Sequence, residues 1–154
     1  MGAPQDPVVR VQAEPFDAQA ESAALTEGRA DIGAVVTFAG LCRDEGGTLA
    51  ALEIEHYPGM AEDEIFRVAQ EAWIRWPLKG LTVIHRYGRI APGEPIVLVV
   101  AAASHRGDAF SATDFLMDYL KTSAPFWKKE HRTDGSSGDW VAAKDSDEAA
   151  AQRW

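Results

Sequence analysis

Three short stretches of the chain carry side chains whose types and spacing could do chemistry. The first is Ser104-His105-Arg106-Gly107-Asp108, where an apolar run gives way to a helical pattern. A helix N-terminus presents free N–H groups and partial positive charge, so His105 and Arg106 placed there would form an anion pocket with phosphate as the natural guest. The same residues fit a solvated loop in which Asp108 is an ordinary N-cap. The second is Lys121, which shares a helix face with Phe110, Asp114 and Met117. In the last turn it complements the helix dipole and needs no other role; walled by Met117 and partly desolvated, its pKa would fall toward acid–base range. The third is Phe126 to His131, whose alternation puts Phe126, Lys128 and Glu130 on one strand face and Trp127, Lys129 and His131 on the other. A lysine and a carboxylate beside an aromatic are either a satisfied ion pair or part of a site.

Other candidates carry less. Cys42 follows an apolar run and reads as a small core or edge residue, because no His or Asn is tied to it by a local signature. The histidines at 56, 85, 105 and 131 lack metal-ligand spacing, and the Gly-rich pieces at 46–47 and 135–138 lack the Lys-Ser/Thr of a phosphate-binding loop. No metal and no cofactor is implied.

The whole chain frames these stretches. It has 154 residues, 15 Lys and Arg against 24 Asp and Glu, and a formal net charge of −9, which disfavours general binding to nucleic acid or to a membrane surface. With 46% hydrophobic residues and five Trp it can bury a core, so a disordered acidic chain is excluded. The charge is uneven: Lys121, Lys128, Lys129 and Arg132 face Glu130 alone between 121 and 132, a basic island in an acidic protein. One cysteine, no leader-like N-terminus, and a longest apolar run (Pro95 to Ala103) far short of a membrane span give a cytoplasmic protein as the expectation.

The pattern predicts the elements that must position these groups. Val8 to Val11 reads as a short strand, and Asp17 caps an Ala-rich helix ending near Gly28. Ile32 to Leu41 is apolar and β-branched and reads as a central strand buried on both faces, followed by a polar loop at 43–47 and a strand from Leu49 to His56. From Met60 to Trp76, Ile65, Val68, Ala69, Ala72 and Trp76 form one helical stripe, with Asp63/Arg67 and Glu71/Arg75 pairs outside it. Leu81 to Ile90 and Ile96 to Ala103 read as a hairpin about Ala91-Pro92-Gly93-Glu94, and a second helix spans Gly107 to Thr122. Pro125 to His131 and Trp140 to Ala142 read as closing strands. Residues 1–7 are expected to be a flexible N-terminus and 8–154 one α+β domain with a largely antiparallel sheet.

Taken together, the segments Gly33 to Gly40 with Arg43, Leu52 to Ala61, Ile84 to Gly88, Ser104 to Arg106, Leu120 to Thr122, Ala124 to Glu130 and Ala150 to Trp154 resemble the large, catalytic subunit of the molybdopterin synthase family. The resemblance implies an α/β hammerhead fold and a sulfurtransferase of molybdenum-cofactor synthesis. It implies cyclic pyranopterin monophosphate as substrate and, as sulfur donor, the C-terminal Gly-Gly thiocarboxylate of a small ubiquitin-like subunit. It also implies a homodimer of large subunits within a heterotetramer. Residue by residue, Lys121 and Lys128 match the lysines near the sulfur-transfer centre, and Arg43, His105 and Arg106 match anion-binding positions. Phe38, Met117 and Glu130 would line the pocket, and Lys144 stands where some relatives have an arginine, whose planar fork a lysine does not reproduce. Two other classes fit the residues: a non-catalytic adaptor that binds a Gly-Gly tail, and a stand-alone phosphohydrolase built on His105 and Arg106.

Overall fold

The computed structural model describes residues 6–141 together with Gln152 and Trp154. In chain order the elements are β1 (Val8–Gln12), α1 (Ala18–Thr26), β2 (Ala34–Leu41), β3 (Leu49–His56), α2 (Met60–Arg75), β4 (Leu78–Arg86), β5 (Gly88–Ile90), β6 (Pro95–Ala103), α3 (Arg106–Thr122) and β7 (Phe126–Arg132). They build two sheets, one in the order β1-β4-β6-β2 and one in the order β5-β3-β7. Every pairing is antiparallel except β1 with β4. The α+β class with largely antiparallel sheets is therefore as expected.

Strand periodicity assigns the two faces of the larger sheet. Ile84, Leu98 and Val100 point to one side and bury Leu25 of α1 among them. Alternate residues such as Leu81, Val83, Val97 and Val99 point to the other, where the apolar stripe of α2 lies over β1 and β4 and α3 lies over β6 and β2. Small residues at Ala101, Ala103, Ala109 and Ala112, all fully buried, bring α3 close to the sheet. Asp17 caps α1 by accepting from the Ala20 N–H at 3.1 Å, and Ala91 to Glu94 form a turn closed by a 3.0 Å bond with Gly93 at φ +88°. Among the described residues no helix is long and apolar enough to cross a membrane.

Several expectations are corrected. The stretch 81–90 is not one strand: Tyr87 interrupts it, and Gly88, at φ +90°, sends β5 into the second sheet. β2 is an edge strand, not a central one, with Val35 and Phe38 each 37% exposed and Leu41 58% exposed. On α2, Arg67 reaches Glu64 at 3.2 Å in place of Asp63, and the Arg75 guanidinium lies over the rings of Trp76 and Phe115. The N-cap of α3 is His105, with Asp108 in the first turn. Val141 makes an isolated bridge with Lys128 where a strand was expected, and Ala142 lies outside the described residues.

Candidate active site

The two sheets meet at the end of β4, and this junction holds the candidate site. His85, near that end, is covered by Phe126 of β7, stacked at 3.9 Å with 13° between the ring planes. His56 of β3 stands 4.5 Å from the ring of Tyr87, tying the small sheet to the same point. Around this joint the last turns of α3 contribute Met117, Leu120 and Lys121, β7 contributes Lys128, β2 contributes Gly40 and Leu41, and β6 contributes Ile96 and Val97. Together they enclose a cavity of about 30 Å³, room for roughly one or two water molecules. Gly40 is required for this wall, since a Cβ there would lie 2.7 Å from Cγ1 of Val97.

Two lysines on an apolar, narrow enclosure give a local positive site in an acidic chain. The His85 side chain is buried and uncharged: burial pushes its pKa down to about 3, and the nearby Lys128 and Lys121 add to the lowering against a hydrogen bond to the Arg86 carbonyl. Cys42 is buried with its thiol near the Ile90 carbonyl, and burial raises its pKa, so it stays a protonated core residue as its sequence context suggests.

The structure brings together only part of the expected set. Lys121, Lys128 and Met117 share the cavity, and Phe38 stands beside it, its ring near the position a Gly40 Cβ would take. Arg43 lies past the end of β2, largely exposed and paired with Glu45. Glu130 is exposed on β7 and does not line the cavity; the carboxylate contact of this ladder is instead Glu53 with His131 at 2.8 Å. His105 and Arg106 are exposed at the opposite end of α3 from Lys121, about 22 Å away along the helix. Lys144 lies outside the described residues. His85 is the residue that sequence reasoning missed, having weighed it only as a metal ligand. Its alternation with Leu81 and Val83, which places it on the face that α3 covers, was the signal.

On the opposite face of the small sheet, Tyr57, Trp127 and Trp140 border a wider open cleft, with Lys129 Nζ 5.4 Å from the Trp140 ring. Among the described residues its lining holds no pair of lysines, so the narrow cavity is the stronger candidate.

Residues 11–123 match the family model described as MoaE protein. The chain belongs to the MoaE family. It is 69% identical over 154 residues to the molybdopterin synthase catalytic subunit of Mesorhizobium japonicum, covering 100% of this chain and 97% of that one. It is 63% identical to the protein of the same name from Rhizobium meliloti, covering 95% and 94%. Among solved structures, the molybdopterin biosynthesis MoaE protein from Burkholderia ambifaria superposes with a TM-score of 0.82 at 48% identity, covering 96% and 97%. Molybdopterin synthase from Staphylococcus aureus does so with 0.76 at 29%, covering 85% and 94%. The part matched by the MoaE model takes in every cavity residue except Lys128, and the full-length similarity to the Mesorhizobium protein reaches that lysine too.

Proposed function

We propose that this chain is the catalytic subunit of a molybdopterin synthase, moving sulfur from the C-terminal thiocarboxylate of a small ubiquitin-like subunit to cyclic pyranopterin monophosphate. The observation that carries the reading is the convergence of Lys121 and Lys128 on one narrow cavity in a MoaE-family chain. A cavity of about 30 Å³ is too small for a fused pterin and suits the end of an extended Gly-Gly tail. Sulfur transfer leaves that tail as an ordinary carboxylate, so the acyl–sulfur bond breaks and water supplies the replacing oxygen. Negative charge develops on the acyl oxygen, where Lys121 stabilises it and exchanges the proton. Lys128 holds an anionic end, either the tail terminus or the pterin phosphate.

His105 and Arg106 enter this reading through a second copy of the chain. β2 pairs with β6 on one side only, and its free edge carries Val35, Phe38 and Leu41 exposed. An antiparallel pairing of two β2 strands about a two-fold axis keeps the α3-covered faces on one side. It sets the N-terminus of one α3 beside the C-terminus of the other, so the His105-Arg106 end of one protomer approaches the Lys121 cavity of its partner. Arg43, just past β2, belongs to the same rim. A heterotetramer follows, with a small subunit at each end.

The test is to mix the chain with thiocarboxylated small subunit and cyclic pyranopterin monophosphate and to look for dithiolene product. Lys121→Ala should leave the complex assembled and lower turnover by on the order of 100-fold or more. No product from a well-formed wild-type complex sinks the enzyme reading; activity falling only in step with lost complex favours the adaptor.

A further inference from the structure

One polar group of the narrow cavity has no part in the reading above. His85 lines it from β4, with Met117 and Lys121 among the other walls. Its Nδ1 lies 2.8 Å from the carbonyl oxygen of Arg86, an atom that only accepts, so Nδ1 carries the proton and donates. Burial keeps the ring neutral at working pH, which makes Nε2 an acceptor with one lone pair. Phe126 covers one ring face at 3.9 Å, and the Nδ1 edge is turned back to the main chain, leaving Nε2 at the far tip. No hydrogen bond from a described residue reaches that atom. Nor is it one of the described polar atoms sealed away without a partner, which are Glu62 Oε1 and the Tyr119 hydroxyl. In a residue only 3% exposed, the open side of Nε2 is the cavity.

Donor and acceptor together narrow the guest. The Lys121 ammonium only donates and suits an anion or a carbonyl, whereas Nε2 only accepts and needs an N–H or O–H. A space of about 30 Å³ must satisfy both with neighbouring atoms of one small group. An ionised cyclic phosphate presents oxygens alone, and the fused rings that carry the N–H groups of a pterin are too large to enter. The last glycine of a peptide presents a carboxyl or acyl oxygen and, two bonds from that carbon, its own amide N–H. We infer that His85 is a specificity-determining residue of this cavity, its Nε2 accepting a hydrogen bond from the amide N–H of the terminal glycine, so that the cavity takes the end of a peptide tail and rejects the pterin phosphate. That the guest is such a tail rests on the function proposed above; the hydrogen bond is read by binding, without turnover.

The probe is the small subunit in its carboxylate form, made by semisynthesis with the last amide either intact or replaced by an ester, which removes the N–H without adding bulk. Calorimetric titration against the full chain should give about 5- to 20-fold weaker binding for the ester form. His85→Phe keeps the ring stack and removes the acceptor, so it should bind both forms equally, and His85→Gln, which returns an acceptor, should restore part of the discrimination. Equal binding of both forms by the native chain, or full discrimination retained in His85→Phe, overturns the inference. Nitrogen NMR of the native chain decides it where the variants fail to fold. The ring should carry its proton on Nδ1, and the Nε2 resonance should move toward the hydrogen-bonded value on adding the amide form and stay in place with the ester form. A proton on Nε2, or the same response to both, overturns it. Failure of either subunit form to bind removes the function reading along with this one; binding without discrimination removes this one alone; discrimination without product from the thiocarboxylate removes only the catalytic reading.

Discussion

Burial makes His85 a sensor of acid for the fold as well as a fixture of the cavity. Its folded pKa, about 3, lies below the ordinary histidine value of 6.5, so between those limits the unfolded chain binds a proton that the native chain does not. The stability contributed by the neutral ring is complete above pH 6.5 and is lost as the pH falls toward 3, by at most about 1.4 kcal/mol per pH unit. Urea unfolding between those limits should therefore show a shallower loss on acidification for His85→Phe than for the native sequence; parallel curves would remove the buried neutral ring from the account. The two lysines should separate in kinetics. Lys121→Ala, which removes a group acting in the transition state, should lower kcat, whereas Lys128→Ala, which removes an anchor for an anion, should mainly raise KM. Steady-state assays on both variants check the division, and a matching kcat loss in each would merge the roles.

Elements position these residues through a few ties that do not touch the cavity. The Arg86 side chain, buried where β4 ends, donates to the Ala13 carbonyl from both Nε and Nη2, to the Pro95 carbonyl at 2.9 Å and to Glu94 at 3.1 Å. It fastens the ends of β1 and β6 to the strand that carries His85. Arg86→Met should cost about 2–4 kcal/mol, because the carbonyls it served lose their donor, measurable as a lower urea midpoint with an unchanged slope. Gly33 is a second tie: a Cβ there would lie 2.2 Å from the backbone oxygen of Ser104, so Gly33→Ala must push β2 away from the start of α3. At this scale the sequence was readable where one chain supplies all the burial. The stripe of α2, the cap of α1 and the Pro92-Gly93 turn follow from local pattern. β2 was misplaced because an apolar run reads the same whether the chain's own strands or another molecule covers its second edge, and the Tyr87-Gly88 break escaped notice because the positive φ of Gly88 is its only local mark. Lys121 and Lys128 were legible as a basic island. Their meeting with His85 depends on a joint between two sheets, which no local spacing records.

At the scale of the whole molecule, the free β2 edge and the distance along α3 point to the same assembly. Phe38→Asp should place a charge on that edge and yield monomers by sedimentation, with turnover lost in proportion. Mixing Arg106→Ala with Lys121→Ala chains tests sharing more directly. Each variant alone is impaired at both sites, but random pairing makes half the dimers mixed, with one intact site each, so activity should return to about a quarter of wild type. No recovery would confine each site to one protomer. The length of α3 then takes on a further meaning. If, as proposed, its His105-Arg106 end serves one centre and its lysine end the other, the helix is a ruler laid across the two-fold axis. A single residue inserted within it would turn Lys121 by about 100° away from its wall and so disable the centre its C-terminal end serves, even in a chain that still folds and pairs. In the proposed dimer the count of residues between Arg106 and Lys121 on α3 is therefore as much a part of each centre as the side chains themselves.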